Sequence, residues 1–432
     1  MSNNKFLIAC LLVYVVLTGL LVATVPMGHA PDEMAHMEYA QYLAEKKSLP
    51  VFEPKGANAS GYEFHQPPLY YALVAPFYLV SESAAPYAGR IISLVCGALT
   101  IVLLWQGLGW FFPNENTIRY LATGLAAVWP MHIAVGTSGG NDALSGLFCA
   151  TMLWAVARMV PRAEQGTATW RDGALLGLFF GLGLLTKSSA LVVGIIALGG
   201  TLHLMRCSEK VSYVPVAAAV AVTALLGGWW LVRNTMLYGD PLAARIFDEA
   251  FTKSSPSPQT MMAITGVSVV EYIRAFFVIL FTTCWGFFGG PNTAIIMLNP
   301  FGTSGPKFEA FTALPLMLVP FLATVVALWG YTKWKWQEWK QPVLPILPKI
   351  GLIWWGLAFW AVTLVLFRFN LTYFQAQARY MHPALLPMCV IFALGWREIL
   401  GEGRALRVFA VGFGATLVVL TLWNAFGWRT LV

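Results

Sequence analysis

Long apolar runs separated by short polar connections set the pattern of this chain. Phe6–Val25 is almost wholly apolar. Similar runs follow at Tyr87–Trp110, Ile118–Val135, Ala143–Val160, Gly173–Leu185, Ala190–Met205, Val214–Val232, Phe311–Gly330, Ile350–Phe367, Ala384–Leu400 and Val408–Phe426. Most have the roughly 17 to 25 residues that a helix needs to cross a ~30 Å hydrocarbon layer. Within lipid, backbone N–H and C=O groups must pair inside their own segment, so spans of this kind are helices. The pattern predicts an all-α polytopic membrane protein of eleven spans, with a twelfth in doubt. The composition agrees: 58% of the 432 residues are hydrophobic and 11% are charged, against about a quarter charged in an average soluble domain.

Charge then orients the spans. Short connections rich in Lys and Arg face the cytoplasm, and "ARMVPRAEQGTATWRD", "MRCSEK" and "YTKWKWQEWKQPVLPILPK" carry that bias. The net charge of +7 has its source in these loops, and no nucleic-acid partner is implied. Residues 31–86, with seven acids and three lysines, form a first outer loop, and about 233–270 a second. The segment Tyr272–Asn292 is apolar enough to span, but a span there would put the Lys/Trp-rich 333–349 loop outside. A re-entrant or interfacial course is therefore favoured. Phe6–Val25 reads as an uncleaved first span, because it is long for a signal peptide and Pro31 follows the small residue Ala30. Six scattered Cys without a CxxC pair suggest neither a disulfide framework nor a thiolate metal site. Residues 1–432 are expected to form a single transmembrane domain without a separate soluble unit.

The first outer loop holds the densest chemistry. "PDEMAHMEYAQYLAEKK" predicts a helix and "HQPPLYYALVAPFYLV" a second one started by its prolines, both short, aromatic and suited to the interface. Asp32 and His36 are four apart, on one helical face. A carboxylate beside an imidazole is equipped to take a proton from a hydroxyl or amine. The plain alternative is that Asp32 and Glu33 cap the helix N-terminus. Glu63 and His65 in "EFHQPPLYY" end the same loop. Asn141 and Asp142 in "SGGNDALSG" open a span, where capping is again the simpler reading. Four cations sit at outer span ends, against the usual bias: Arg90, Lys187, Arg233 and Arg379. Snorkelling explains each one singly. Together, at one depth, they suggest a phosphate or pyrophosphate held at the outer leaflet.

"PDEMAH", "HQPPLYY", the Arg of "GRIISLVCG", "NDAL", "LTKSSAL", "RNTMLYGDP", "WGFFG" and "QARYMHPALLP" occur in this order across most of the chain. The series resembles the GT-C superfamily of integral-membrane glycosyltransferases, in the branch with protein mannosyltransferases and lipid A aminoarabinose transferases. The resemblance implies a GT-C-like bundle of about 11–12 transmembrane helices with interfacial helices in the first outer loop. It implies an inverting transfer of one sugar from a polyprenyl-phosphate donor to a lipid, glycan or surface acceptor. That transfer would take place on the outer face of a membrane, a bacterial cytoplasmic membrane being the expected one. Asp32 matches the family's catalytic base and Glu33 the acid often beside it. Arg90, Lys187 and Arg379, and less closely Arg233, match the cations that hold the donor phosphate. Asp142 matches a second acidic position. His36, His65, Glu63, Asn141 and Tyr380 are supporting or acceptor-side candidates. No cofactor is required by such chemistry, though a divalent metal on His36 and His65 is compatible with it. The chain lacks the sizeable C-terminal soluble domain of oligosaccharyltransferases, which favours a small acceptor.

Other readings stay open on the sequence alone. A membrane ligase would take a pyrophosphate-linked donor. A lipid-linked-sugar flippase needs charges near midspan, and the spans are nearly free of them. A non-catalytic scaffold leaves the outer constellation unexplained. "NAS" at Asn58 and "NLT" at Asn370 match glycosylation sequons in outward loops.

Overall fold

The computed structural model describes residues 3–53, 60–251, 257–286 and 314–429. Helices α1 (Asn3–Thr24), α2 (Glu33–Lys46) and α3 (Leu69–Tyr78) lead into α4 (Ala85–Phe111), α5 (Asn116–Val128) and α6 (Pro130–Thr137). Then come α7 (Asp142–Glu164), α8 (Trp170–Leu184), α9 (Ser189–Arg206), α10 (Val214–Tyr238) and three shorter helices, α11 (Ala244–Phe251), α12 (Pro258–Thr265) and α13 (Val269–Trp285). The chain closes with α14 (Leu314–Lys340), α15 (Ile346–Asn370), α16 (Leu385–Leu400) and α17 (Arg404–Arg429). Two 3-10 turns, Tyr62–His65 and Ala378–Ala384, complete the described elements that matter for the site.

Nine helices among the described residues are long and apolar enough to cross a membrane, or ten if the α12–α13 pair, bent by 111°, is one broken span. This is fewer than the eleven or twelve expected, for two local reasons. The run Ile118–Val135 is divided: Trp129 is extended at φ −70°, ψ 116°, because Pro130 follows it and disfavours a helical residue before its ring. Helix α8 has 15 residues, about 22 Å at 1.5 Å per residue, short of a full crossing. Residues 287–292 of the doubtful Tyr272–Asn292 segment, with Phe287–Gly289 of "WGFFG" and the sequon Asn58, lie outside the described residues.

The helix directions sort the charges. Asp142 opens α7 and Arg162 closes it; Lys187 precedes α9 and Arg206 ends it. Lys333 of α14 pairs with Glu398 near the end of α16 at 2.9 Å, so the Lys/Trp-rich segment sits at the bundle end away from Arg379. The single helix α15 between the two segments sets that separation, which holds for either course of Tyr272–Asn292. Between the two ends, buried indoles tie helices together: Trp129 donates to Cys284 O, Trp355 to Leu153 O and Trp396 to Ala323 O, at 2.8–2.9 Å. Lipid tails supply no hydrophobic drive between helices, so such packing and hydrogen bonds hold the bundle.

The described parts of residues 31–86 fold onto this frame. Helix α2 buries Glu33, His36, Met37, Ala40 and Ala44, a 3.6-residue stripe, and packs on α3 through Tyr39 stacked on Tyr71 at 3.9 Å. Asn370, the second sequon, is 5% exposed, and its amide donates to Leu366 O and Gln375 O.

Candidate active site

A cavity of about 1510 Å3 opens at the end of the bundle where α2 and the Tyr62–His65 turn pack. Asp32, His36, Glu63, His65, Asp142, Lys187, Arg379 and Tyr380 all line it. Residues more than 300 positions apart in sequence thus share one space, together with apolar side chains of α1, α6, α9, α10 and α15.

Asp32 does not cap α2. Its backbone is left-handed, φ 60° and ψ 6°, its side chain makes no capping bond, and its carbonyl accepts the first helical bond from His36 N at 3.0 Å. A non-glycine residue in this region is strained by about 1–2 kcal/mol, though Asp tolerates it better than most. The strain aims the carboxylate across the cavity at Arg379, whose Nη2 lies 2.6 Å from Oδ2. Arg379 reaches Asp142 Oδ2 at 3.4 Å with its other nitrogen, and Lys187 Nζ sits 2.5 Å from Asp142 Oδ1. The order Asp32, Arg379, Asp142, Lys187 alternates in sign, so each charge is paired. Burial works to raise the Asp32 carboxyl, but the Arg379 guanidinium, with His36 and Tyr62, outweighs it and holds the group below the ordinary carboxylate range. Burial opposes the Lys187 charge, and Asp142 more than restores it.

Glu33 is placed otherwise than expected. It is 1% exposed, and both its oxygens are taken: Arg90 Nε and Nη2 at 2.7 Å each, Gly28 N at 2.8 Å and Gly139 N at 2.9 Å. Glu33 belongs to the cavity wall, but with four donors on its two oxygens it has no lone pair left for a substrate proton. Arg90 is equally committed: its remaining donors go to Val22 O, Val25 O and Pro26 O at 2.7–3.2 Å. All five guanidinium N–H groups are thus engaged, and none is left for a phosphate. Arg233 stands apart as well, donating to Pro50 O at 2.6 Å and stacking over Trp230 at 4.9 Å, and it does not line the cavity. Of the four cations, the structure brings together Lys187 and Arg379. Arg368 also lines the cavity, donating to Thr372 Oγ1 at 3.0 Å; as the last-turn cation of α15 it is not separable in sequence from a snorkelling residue.

The histidines divide similarly. His65 Nδ1 donates to Tyr62 O at 2.9 Å and its Nε2 accepts from Gln66 Nε2 at 3.1 Å. Burial pushes its pKa down to about 4, so the ring is neutral, and its one lone pair, on Nε2, is taken up by Gln66. Among the described residues, no three His, Cys, Asp or Glu side chains converge as a ligand set. His36 Nδ1 meets the Tyr71 hydroxyl at 2.9 Å and lies 3.9 Å from Glu63 Oε2. Burial lowers the His36 pKa and raises that of Glu63. Glu63 Oε2 is buried and finds no hydrogen-bond partner among the described residues. Asn141 acts as a hub and not as a cap: its amide donates to Gln66, Tyr71 and Thr186, and its carbonyl oxygen accepts from Lys187 at 3.3 Å. Sequence spacing does not single out Tyr62, whose hydroxyl interacts with both Asp32 and Glu63, or the buried His132–His382 pair.

A multi-pass membrane bundle with a cavity at one end, lined by charged groups and by apolar helix faces, is the class these features define. Residues 65–230 match the family model for dolichyl-phosphate-mannose-protein mannosyltransferase, a stretch that contains Arg90, Asn141, Asp142 and Lys187. No curated protein matches the chain in sequence. Its structure is similar to that of ArnT from Cupriavidus metallidurans in the apo state, with a TM-score of 0.53 and 11% identity over 99% of this chain and 76% of that one. ArnT bound to undecaprenyl phosphate gives 0.50 and 12% over 96% and 75%. The apo Archaeoglobus fulgidus oligosaccharyltransferase gives 0.51 and 13% over 98% of this chain and 55% of that one, so the chain spans about half its length. The protein has the GT-C glycosyltransferase fold, and its residues 65–230 carry the sequence pattern of the mannosyltransferase family.

Proposed function

We propose that this protein is an inverting glycosyltransferase that moves one sugar from a polyprenyl-phosphate donor to a lipid, glycan or surface acceptor at the outward face of the membrane. The observation that carries the reading is the pairing of Asp32 with Arg379 inside a cavity that also holds Lys187 and continues along apolar helix faces. The matched family and the undecaprenyl phosphate bound to ArnT support the choice of donor.

Arg379 has two roles in this reading. In the empty site it is bonded to Asp32 and keeps that carboxylate occupied. An arriving phosphate competes for the same N–H groups, draws the guanidinium away and frees Asp32 Oδ2 for a proton. The acceptor's oxygen or nitrogen then attacks the anomeric carbon opposite the phosphate, Asp32 takes its proton, and the carbon–oxygen bond breaks with its electrons passing to the phosphate. Arg379 and Lys187 hold the charge that develops there, each well-placed donor contributing on the order of 3 kcal/mol. Glu63, with its unpartnered oxygen beside His36, faces the cavity as an acceptor-side hydrogen-bonding group.

The test is to incubate purified protein in lipid nanodiscs with a panel of polyprenyl-phosphate sugars and candidate acceptors, and to assay released polyprenyl phosphate. Release that requires acceptor and vanishes in Asp32→Asn supports the reading. Release from pyrophosphate-linked donors alone would replace it with the ligase reading.

A further inference from the structure

We propose that His132 and His382 form a positioning device that fixes the direction of Arg379, and so the reach of the phosphate site proposed above, on which this inference rests. Among the described residues neither imidazole hydrogen bonds to the cavity's charged groups, and both are buried, at 0% and 2% exposure. Polar side chains at this depth of a membrane bundle are costly unless hydrogen bonded. Two apolar residues would fill the space at least as well. What the imidazoles add is direction.

The hydrogen-bond partners assign the protons. Gly97 O accepts only, so His132 Nε2, 3.2 Å away, carries a hydrogen. In the neutral ring His132 Nδ1 is then bare and accepts from His382 Nε2–H at 2.9 Å. His382 Nδ1 is left bare, with no partner among the described residues. The result is a one-way chain from the Ala378–Ala384 turn through α6 to α4. The rings lie nearly parallel, 18° apart with centroids at 5.2 Å, and Tyr14 stacks on the far side of His132 at 4.9 Å. Gly146 of α7 faces His382 where any β-carbon would overlap the imidazole, so the pocket accepts this ring in one place.

The turn's geometry connects this anchor to the site. A 3-10 helix has three residues per turn, so residues three apart eclipse one another. Arg379 and His382 are three apart in such a turn. Its other end is held too: Ala378 N donates to Thr283 Oγ1 at 2.9 Å. Arg379 is thus carried by a single turn pinned on both sides. Rotation or sliding of that turn would separate the guanidinium from Asp32 on one side and Asp142 on the other.

The test uses the full chain and two readouts. His382→Phe keeps a ring of similar volume and removes the hydrogen bond; His382→Gln restores an N–H near the same place. Without any ligand, a double-mutant cycle of Asp32→Asn and Arg379→Gln in thermal unfolding measures the pair's coupling. That coupling is expected to shrink in the His382→Phe background and to return with His382→Gln. With undecaprenyl phosphate as probe, His382→Phe is expected to bind about tenfold more weakly, the equivalent of one lost charged hydrogen bond. In an Arg379→Ala background the same substitution should cost nothing further, because it acts through that residue. Thr283→Val loosens the other pin and should behave alike, which covers a His382→Phe protein that fails to fold. An unchanged Asp32–Arg379 coupling in both variants, or losses that simply add, would overturn the inference. If wild-type protein ignores undecaprenyl phosphate, the proposed function fails while the ligand-free cycle still decides this one.

Discussion

Glu33 and Arg90 close on each other in a bidentate pair, 2.7 Å at each contact, with neither side chain more than 1% exposed. The pair ties α2 to α4 and, through Arg90, to the last carbonyls of α1. Its position next in sequence to Asp32 explains how that residue is held in a left-handed conformation. The neighbour's side chain is gripped from four directions, so the strain cannot relax locally.

Removing one partner of this pair leaves an uncompensated buried charge. Arg90→Ala is expected to destabilise the protein by about 3–5 kcal/mol, whereas the double replacement Arg90→Met with Glu33→Met should recover much of that loss. Thermal unfolding in detergent reads both. An Arg90→Ala protein as stable as wild type would mean that the pair carries no structural role.

In the proposed reaction Asp32 and Asp142 compete with the donor phosphate for Arg379 and Lys187. Asp32→Asn should therefore reduce transfer by about 10^2-fold or more, the scale of a lost general base, while binding undecaprenyl phosphate more tightly. Asp142→Asn should also tighten binding, whereas Lys187→Ala and Arg379→Ala should weaken it. Full transfer by Asp32→Asn would end the base assignment.

Arg233 and Arg368 provide a contrast between two outer cations. Arg233→Ala should leave the affinity for undecaprenyl phosphate near that of wild type, since its guanidinium serves Pro50 and Trp230. Arg368→Ala should weaken it a few-fold, because that side chain borders the cavity. Equal effects from the two would contradict the placement of the phosphate site.

His65 makes stability depend on pH. Its folded pKa is near 4 against about 6.5 for a free imidazole. Between these values the unfolded chain binds a proton that the native protein does not. Stability is therefore complete above about pH 6.5 and is lost as pH falls toward 4. His36, also lowered by burial, acts in the same direction. The unfolding midpoint should be lower at pH 5 than at pH 7, and His65→Gln should narrow the difference.

Most of the helical frame was legible in the apolar runs, because span length and polar punctuation are local properties. The breaks were less so: Pro130 inside Ile118–Val135 acts locally on Trp129, but the unbroken apolar run around it reads as one span. The site followed the same division. That Asp32 and Arg379 lie at the same end could be read from charge and topology. That Arg90 faces Glu33 and the α1 carbonyls, and so leaves the phosphate group, is a matter of side-chain direction that spacing does not encode. His132 is a lone His on an apolar stretch, and His382 sits inside "QARYMHPALLP" with nothing in the spacing to give it a role; only their meeting, 250 residues apart, gives them meaning.

The alternation Asp32, Arg379, Asp142, Lys187 has a consequence for which molecules can linger in the cavity. Four charges that cancel in neighbouring pairs present only a weak field to an anion passing in solution. Free phosphate or a soluble sugar phosphate must break into these three ion pairs with nothing to keep it there in the meantime. A phosphate on a long lipid is already confined to the membrane edge, and its high effective concentration lets it return until the pairs yield. Tethering, more than attraction at a distance, becomes the filter.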